Sequence, residues 1–137
     1  MAHWLIKSEP SSWSWTQQVE AGRQGTPWTG VRNHSAKLHL MAMKSGEQAF
    51  FYHSNDGKEI VGIVEVCSAY YPDPTDASGK FGLVDFRAVK ALKRPVSLET
   101  IKGEPKLAKM VLVNNSRLSV QPVAEVEWAI LCAMGGL

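Results

Sequence analysis

The stretch from Glu47 to Tyr71, EQAFFYHSNDGKEIVGIVEVCSAYY, constrains the fold most, because it joins two strand-like segments through a tight-turn signal. EQAFFYHS and EIVGIVEVCSAYY are rich in Val, Ile and aromatic residues, which favour extended strands. Between them, NDGK, from Asn55 to Lys58, predicts a hairpin turn with Asp56 and Gly57 at its centre. The sequence therefore predicts an antiparallel hairpin in the middle of the chain.

Three further segments have the composition of strands. They are HWLIK near the start, which Pro10 ends, then LVDFRAVKAL and RLSVQPV. Proline lacks a backbone N–H and cannot continue a central strand. Together with the hairpin, these segments predict a fold built on five or six short strands.

Short helices are predicted between the strands. SSWSWTQQVEAG begins at a serine cap, either Ser12 or Ser14. NHSAKLHLMAMKSG is the clearest helix, with Asn33 as its N-cap, Lys44 in its last turn and Gly46 just after its end.

The second half of the chain carries three more helical segments. RPVSLETIKG predicts a turn followed by a short helix that Ser97 caps, and EPKLAKMV a second short helix. AEVEWAILCAMGG predicts a closing helix. Helices are too few for a doubly wound fold, so we expect an α+β domain over residues 1–137: a small β-barrel with short helices on its flanks.

Composition is that of a globular domain: 137 residues, 45% hydrophobic and 20% charged. No apolar run approaches the roughly 20 residues of a membrane span, and the opening MAHWLIKSEP becomes polar too early for a secretory signal. We expect a monomer without membrane contact, in the cytoplasm, or in the nucleus if the source is a eukaryote. The net charge of +2 hides nine basic and three acidic residues between Lys80 and Arg117, a distribution compatible with a polyanion-binding face.

Signatures of common catalytic and cofactor sites are missing from the sequence. There is no P-loop, no GxGxxG and no GxSxG, and the four histidines have no metal-ligand spacing. We therefore expect no cofactor and no metal. Ser8, His53 and Asp73 could form a hydrolytic triad in space, but any chain of this length contains such a set.

Polar and aromatic residues instead follow the ends of several predicted strands. Strand ends converge on the rim of a barrel, and rims carry binding sites. Aromatic rings stack on bases, a carboxylate accepts from an exocyclic amine, and basic side chains hold phosphates. This pattern favours nucleic-acid binding over catalysis.

Several motifs in the same order resemble the EVE-domain family: WLIKSEP with WSW, WTGVRNHSAKLHLMAMKSGEQAFFYHS, IVGIVEV, YYPDPT and RLSVQPV. The resemblance runs from Trp4 to about Gly136. It implies a PUA-like β-barrel and kinship with the YTH and ASCH domains. It also implies a reader of modified bases, with modified cytosine in DNA as the leading ligand and RNA as the alternative.

The resemblance places two groups of residues at the ligand. The expected base pocket comprises Ser8, Glu9, Trp28, Gly30, Val31, Asn33, Tyr52, His53, Ser54, Tyr71, Asp73, Leu118 and Ser119. Lys7, Arg32 and Arg117 are the expected phosphate contacts. Within the pocket, Trp28 matches the wall of an aromatic cage and Glu9 is the expected acceptor for the base amine.

Two positions depart from the family pattern. Ala124 stands where the last helix usually has a Ser or Thr cap, and Phe81 stands where we expect tryptophan. Two other functions stay open: an enzyme acting on a modified base or nucleotide through Glu9, His53 and Asp73, and a scaffold protein whose pocket is vestigial.

Overall fold

A computed structural model describes all residues, 1–137, and consists mainly of one mixed six-stranded sheet that curls into a half-barrel. Its strand order is β2-β7-β4-β3-β1-β8, and β5 and β6 form a separate two-stranded ribbon. The strands are β1 (His3–Ser8), β2 (Thr26–Pro27), β3 (Gln48–His53), β4 (Glu59–Val66), β5 (Tyr71–Pro72), β6 (Gly82–Leu83), β7 (Asp85–Ser97) and β8 (Val120–Val123). The predicted α+β class is confirmed, and the six strands of the main sheet agree with the predicted five or six, while the two-stranded ribbon brings the total to eight.

The predicted hairpin forms the centre of this sheet. Strands β3 and β4 pair antiparallel, and their last pair is His53 with Glu59. Residues 54–58 therefore form the turn, which is longer than the predicted turn centred on Asp56 and Gly57, and Asn55, Gly57 and Lys58 in it have positive φ. β1 then pairs with β3 in parallel, with Leu5 opposite Phe50, and with β8 antiparallel. The first strand of the chain is therefore enclosed between two others, which fixes the position of the loop that follows Ser8.

Apolar side chains pack against both faces of the sheet. One cluster contains Ile6, Phe51 and Phe86, and the other contains Leu5 and Phe50. Neighbouring residues of one strand enter opposite clusters because side chains alternate across a strand. Packing on both faces holds the sheet as a frame for the loops at its end.

The helices cover these two faces. They are α1 (Trp15–Glu20), α2 (His34–Ala42), α3 (Leu98–Lys102), a 3-10 helix (Pro105–Leu107), α4 (Val111–Asn114) and α5 (Glu125–Met134). Three of the predicted caps are confirmed by side-chain hydrogen bonds: Ser14 to the N–H of Gln17, Asn33 to Ala36, and Ser97 to Thr100. No helix is both long and apolar enough to cross a membrane.

The predicted end of α2 was wrong. The helix stops at Ala42, and Met43 leaves it in an extended conformation, so Lys44 and Gly46 lie beyond its last turn. Gly46 has φ +95 and serves the turn that leads into β3. Leu40 and Met43 are both buried, so core packing sets this boundary in place of a glycine cap.

The predicted turn at Arg94-Pro95 was also wrong, because β7 continues to Ser97. The register between β4 and β7 shifts between Ile60 and Gly62, where the partner changes from Val96 to Ala91. Pro95 falls in this irregular stretch, where its missing N–H breaks no regular ladder bond.

A test of the capping account follows from α5. Ala124 is its N-cap residue, with an extended backbone and no side-chain cap, although Glu127 already accepts a hydrogen bond from the Ala124 N–H at 2.9 Å. A serine at position 124 completes this capping box. We expect Ala124→Ser to raise the free energy of unfolding in urea by about 0.5–1 kcal/mol.

The matched control is Ala129→Ser, at an exposed position inside the same helix. Serine there has lower helix propensity than alanine, so this variant is expected to be neutral or slightly less stable. An equal effect of both substitutions on unfolding would contradict the capping account.

Candidate functional site

A concave cavity of about 540 Å³ opens at the end of β1. This volume lies within the range of small-ligand sites. Three segments form it: the end of β1 with the loop after it, the loop that leads to α2, and Ser119. Its lining residues are Lys7, Ser8, Glu9, Ser12, Trp13, Thr26, Pro27, Trp28, Thr29, Gly30, Val31, Arg32 and Ser119.

Trp28 forms a largely buried, well-packed wall of this cavity. Only 8% of its surface is exposed, and its ring packs edge-on against Phe51 at 5.8 Å and Phe86 at 5.5 Å between ring centres. Its backbone N–H donates to the carbonyl of Val84 at 3.1 Å. The indole is part of the core and lines the cavity at the same time, so its orientation needs no ligand to be set.

A second indole, Trp13, lines the same cavity, and sequence reasoning missed it. Its Nε1 donates to Gln18 Oε1 at 2.8 Å, and the buried Gln18 donates to the carbonyl of Phe86 at 3.0 Å. Ser8 Oγ donates to the carbonyl of Trp13 at 2.6 Å. Trp13 lies in the loop between the end of β1 at Ser8 and the N-cap of α1 at Ser14, and this position is the only sequence signal that points to the cavity.

The buried carboxylate of Asp73 holds the rim of the cavity together. It accepts hydrogen bonds from Gly30 N at 2.9 Å, Arg32 Nη1 at 3.1 Å, Thr75 N at 2.7 Å and Thr75 Oγ1 at 2.6 Å. Gly30 has φ +88, a left-handed conformation that favours glycine. Asp73 thus joins the loop after β5 to the loop that carries Trp28.

These contacts change the acidity of Asp73. Burial alone would raise its pKa, but the hydrogen bonds from Thr75, Gly30 and Arg32 outweigh burial and lower the pKa to about 2. The carboxylate therefore stays ionised over the whole physiological range, and it neutralises Arg32 internally.

Lys7 and Glu9 lie at the opposite side of the cavity. Lys7 Nζ donates to the carbonyl of Ser116 at 2.7 Å, and burial lowers its pKa. Glu9 is exposed and makes no ion pair; its Oε1 accepts from Asn55 Nδ2 at 3.3 Å. One Glu9 oxygen is thus left without a protein partner at the cavity mouth.

The structure brings eight of the sixteen predicted site residues together at the cavity. They are Lys7, Ser8, Glu9, Trp28, Gly30, Val31, Arg32 and Ser119. The lining residues that sequence reasoning did not select are Ser12, Trp13, Thr26, Pro27 and Thr29.

Several other predicted residues support neighbouring elements and do not line the cavity. Tyr52 is 3% exposed and belongs to the second core cluster. His53 Nε2 accepts from the N–H of Trp15 at 3.1 Å, and the N–H of Ser54 donates to the carbonyl of Ser8. Asn33 caps α2.

The remaining predicted residues have separate surroundings. The hydroxyl of Tyr71 donates to Asp85 at 2.6 Å, and burial together with this acidic partner raises the pKa of Tyr71 to about 12. Leu118 packs in the core, and Arg117 is exposed without a hydrogen-bond partner.

The role of Asp73 predicts an acid-dependent loss of stability. Its pKa falls from 3.8 to about 2 on folding, so its ionised form stabilises the native state above pH 4, and this contribution disappears between about pH 4 and 2. Asp73→Asn should lower the free energy of unfolding by roughly 2 kcal/mol near neutral pH. The difference in the free energy of unfolding between wild type and variant, measured by urea unfolding across this pH range, should become smaller as the pH falls.

Asp56→Asn is the control, since Asp56 is exposed in the hairpin turn and makes no side-chain hydrogen bond. It should change the free energy of unfolding by no more than about 0.5 kcal/mol. If the difference in the free energy of unfolding between wild type and Asp73→Asn stays constant down to pH 2, the charge of Asp73 does not stabilise the fold.

Comparison with known proteins connects this geometry to a family. The model of the EVE domain matches residues 2–134. An NMR structure of a protein from Rhodopseudomonas palustris is 63% identical with a TM-score of 0.94, covering 99% of this chain and 94% of that one. Thymocyte nuclear protein 1 of Gallus gallus is 37% identical over 96% of this chain and 68% of its own length.

Two further structures place the fold. Human THYN1 protein in complex with 5-methylcytosine containing DNA is 32% identical with a TM-score of 0.90, covering 100% of this chain and 99% of that one. The YTH domain of Zygosaccharomyces rouxii MRB1 protein shares the fold alone, at 18% identity and a TM-score of 0.60, over 99% of this chain and 85% of that one. The predicted PUA-like architecture is confirmed, and the chain belongs to the EVE domain family.

Proposed function

We propose that this chain binds nucleic acid by taking one flipped, modified base into the cavity, with a modified cytosine in DNA as the favoured ligand. The observation that carries the proposal is the fixed indole of Trp28 in a cavity whose mouth also holds the carboxylate of Glu9. The complex of human THYN1 protein with 5-methylcytosine containing DNA supports the choice of DNA over RNA.

Stacking on Trp28 supplies the first part of the binding energy. Base–aromatic stacking contributes about 1–3 kcal/mol per base, while extracting a base from its strand costs a few kcal/mol. Because Trp28 is already held by Phe51 and Phe86, no side-chain entropy is lost when the base arrives.

The hydrogen-bonding edge of the base and its added methyl group supply the selectivity for modified cytosine. A carboxylate accepts from the N4 amine of cytosine, and Glu9 has an oxygen free for this contact. Burial of a methyl group favours the modified base by about 0.8 kcal/mol, so the expected preference over unmodified cytosine is a few-fold.

The first test compares two tryptophans. Trp28→Leu keeps apolar volume in the core but removes the stacking surface, and it should weaken binding of a single-stranded oligonucleotide with one 5-methylcytosine by about 5- to 150-fold. Trp128→Leu is the matched control, because Trp128 is a partly buried indole in the other cluster, stacked on Phe50 and His3.

Fluorescence anisotropy gives the affinities, and thermal unfolding of each variant shows how far it is destabilised. Both variants should lose stability through the loss of aromatic packing, but only Trp28→Leu should lose affinity. Equal affinity of the two variants for the oligonucleotide would show that Trp28 does not hold the base.

The second test concerns base identity. Glu9→Ala should weaken binding of a 5-methylcytosine oligonucleotide by about fivefold or more, since it removes one base-edge contact. A thymine oligonucleotide carries the same methyl group with a carbonyl in place of the amine, so its affinity should change less. Glu20→Ala, at an exposed position in α1, is the control; an equal loss for both bases would overturn the assigned role of Glu9.

A further inference from the structure

A partly exposed aromatic ring lies beyond the Arg32 side of the cavity. The guanidinium carbon of Arg32 lies 5.9 Å from the ring centre of Phe81, and Lys37 Nζ lies 5.7 Å from the same point. Lys80, the residue before Phe81, is exposed. We call Arg32, Lys37, Lys80 and Phe81 the Phe81 platform.

The loop contacts hold this platform in place. Phe81 N donates to Asp76 Oδ2 at 2.8 Å, and the Phe81 carbonyl accepts from Asp73 N at 3.0 Å. Arg32 is bound to Asp73 and to Thr75 Oγ1. A surface already ordered loses little conformational entropy on binding.

The charge of the platform suits a polyanion. Asp73 has no exposed side-chain surface and is neutralised by Arg32. Asp76, the other nearby acid, accepts hydrogen bonds from Ser78 N, Ser78 Oγ and Phe81 N. Arg32 and Lys37 therefore lie over the ring, and Lys80 is the exposed residue next to it in the chain. With Arg32 paired to Asp73, the excess positive charge comes from Lys37 and Lys80, and the one carboxylate that is not buried, Asp76, is occupied within its own loop.

The opposite side of the cavity offers less to a nucleic-acid strand. Lys7 donates to the carbonyl of Ser116. Tyr52, whose ring centre lies 5.8 Å from Lys7 Nζ, belongs to the second core cluster and does not line the cavity. Arg117 is exposed but makes no hydrogen bond that would orient it.

We propose that the strand flanking the bound base leaves the cavity over Arg32, stacks a neighbouring base on Phe81 and contacts Lys37 and Lys80 through its phosphates. This inference rests on the proposed function and extends it, because it assigns a second nucleotide site and a direction to the strand. Cations beside an aromatic face are a combination that single-stranded nucleic acid uses, with stacking on the ring and charge along the backbone.

The test separates platform from cavity by the size of the ligand. A nine-nucleotide single-stranded DNA with a central 5-methylcytosine reaches both sites, whereas the nucleoside 5-methyl-2′-deoxycytidine reaches the cavity alone. Lys37→Gln should weaken binding of the oligonucleotide and reduce the salt dependence of its affinity. The magnitude of the slope of log K against log salt concentration should decrease by about 0.7. Affinity for the nucleoside, followed by NMR titration, should stay unchanged.

Phe81 provides the second pair of variants. Phe81→Leu keeps an apolar side chain but removes the ring. It should weaken the affinity for the oligonucleotide by about fivefold or more, and about fivefold corresponds to the low end of the energy of one stacking contact. Phe81→Trp enlarges the ring and should retain or strengthen binding. Lys106→Gln, at an exposed position on the 3-10 helix, is the charge control and should leave both ligands unaffected.

The outcomes separate the two proposals. If the wild type binds the oligonucleotide and neither Lys37→Gln nor Phe81→Leu changes that affinity, the platform proposal is overturned and the cavity proposal stands. The same would hold if Arg117→Gln reduced the salt slope in place of Lys37→Gln. Failure of the wild type to bind either ligand would overturn the proposed function and the platform with it.

Discussion

The buried carboxylate of Asp73 is the contact on which the rest of the site depends. Four donors from two separate loops converge on it, and their hydrogen bonds keep it ionised despite burial. Without that charge the Gly30 backbone and the Arg32 guanidinium would have no common partner. An isolated carboxylate in this position would be costly, so the geometry of the rim and the ionisation of Asp73 stabilise each other.

The sheet is the frame to which the loops joined by Asp73 are attached. Strand β1 is enclosed between β3 and β8, which fixes the Lys7–Glu9 end of the cavity. Trp28 is held by rings from β3 and β7, which fixes the wall. Both sides of the cavity are therefore set before a ligand arrives, the arrangement that lowers the cost of binding a flexible strand.

The sequence predicted the fold better than the site. The central hairpin, the Asn33 cap and the Ser97 cap depend on local rules, and all three were confirmed. The end of α2 and the course of β7 through Pro95 depend on tertiary packing and on a register shift, which no local pattern encodes.

For the site, the rule that binding residues follow strand ends identified the segments that form the cavity. It could not tell which side chains of those segments point into it. Alternation along β3 sends Phe51 towards the core cluster of Trp28 and Tyr52 into the other cluster. The family resemblance placed Asp73 in the pocket, but its place beneath the rim follows only from the three-dimensional arrangement. Trp13 lies just before α1, where the sequence does not distinguish an indole that lines a cavity from one that packs in the core.

The most direct measurement of the central claim locates the methyl group of the bound base. A single-stranded oligonucleotide with a ¹³C-methyl-labelled 5-methylcytosine would be bound to the protein and observed by filtered NMR. We predict intermolecular nuclear Overhauser effects between this methyl group and the indole protons of Trp28. Saturated binding with methyl contacts only to residues outside the cavity would contradict the proposal that the base enters it.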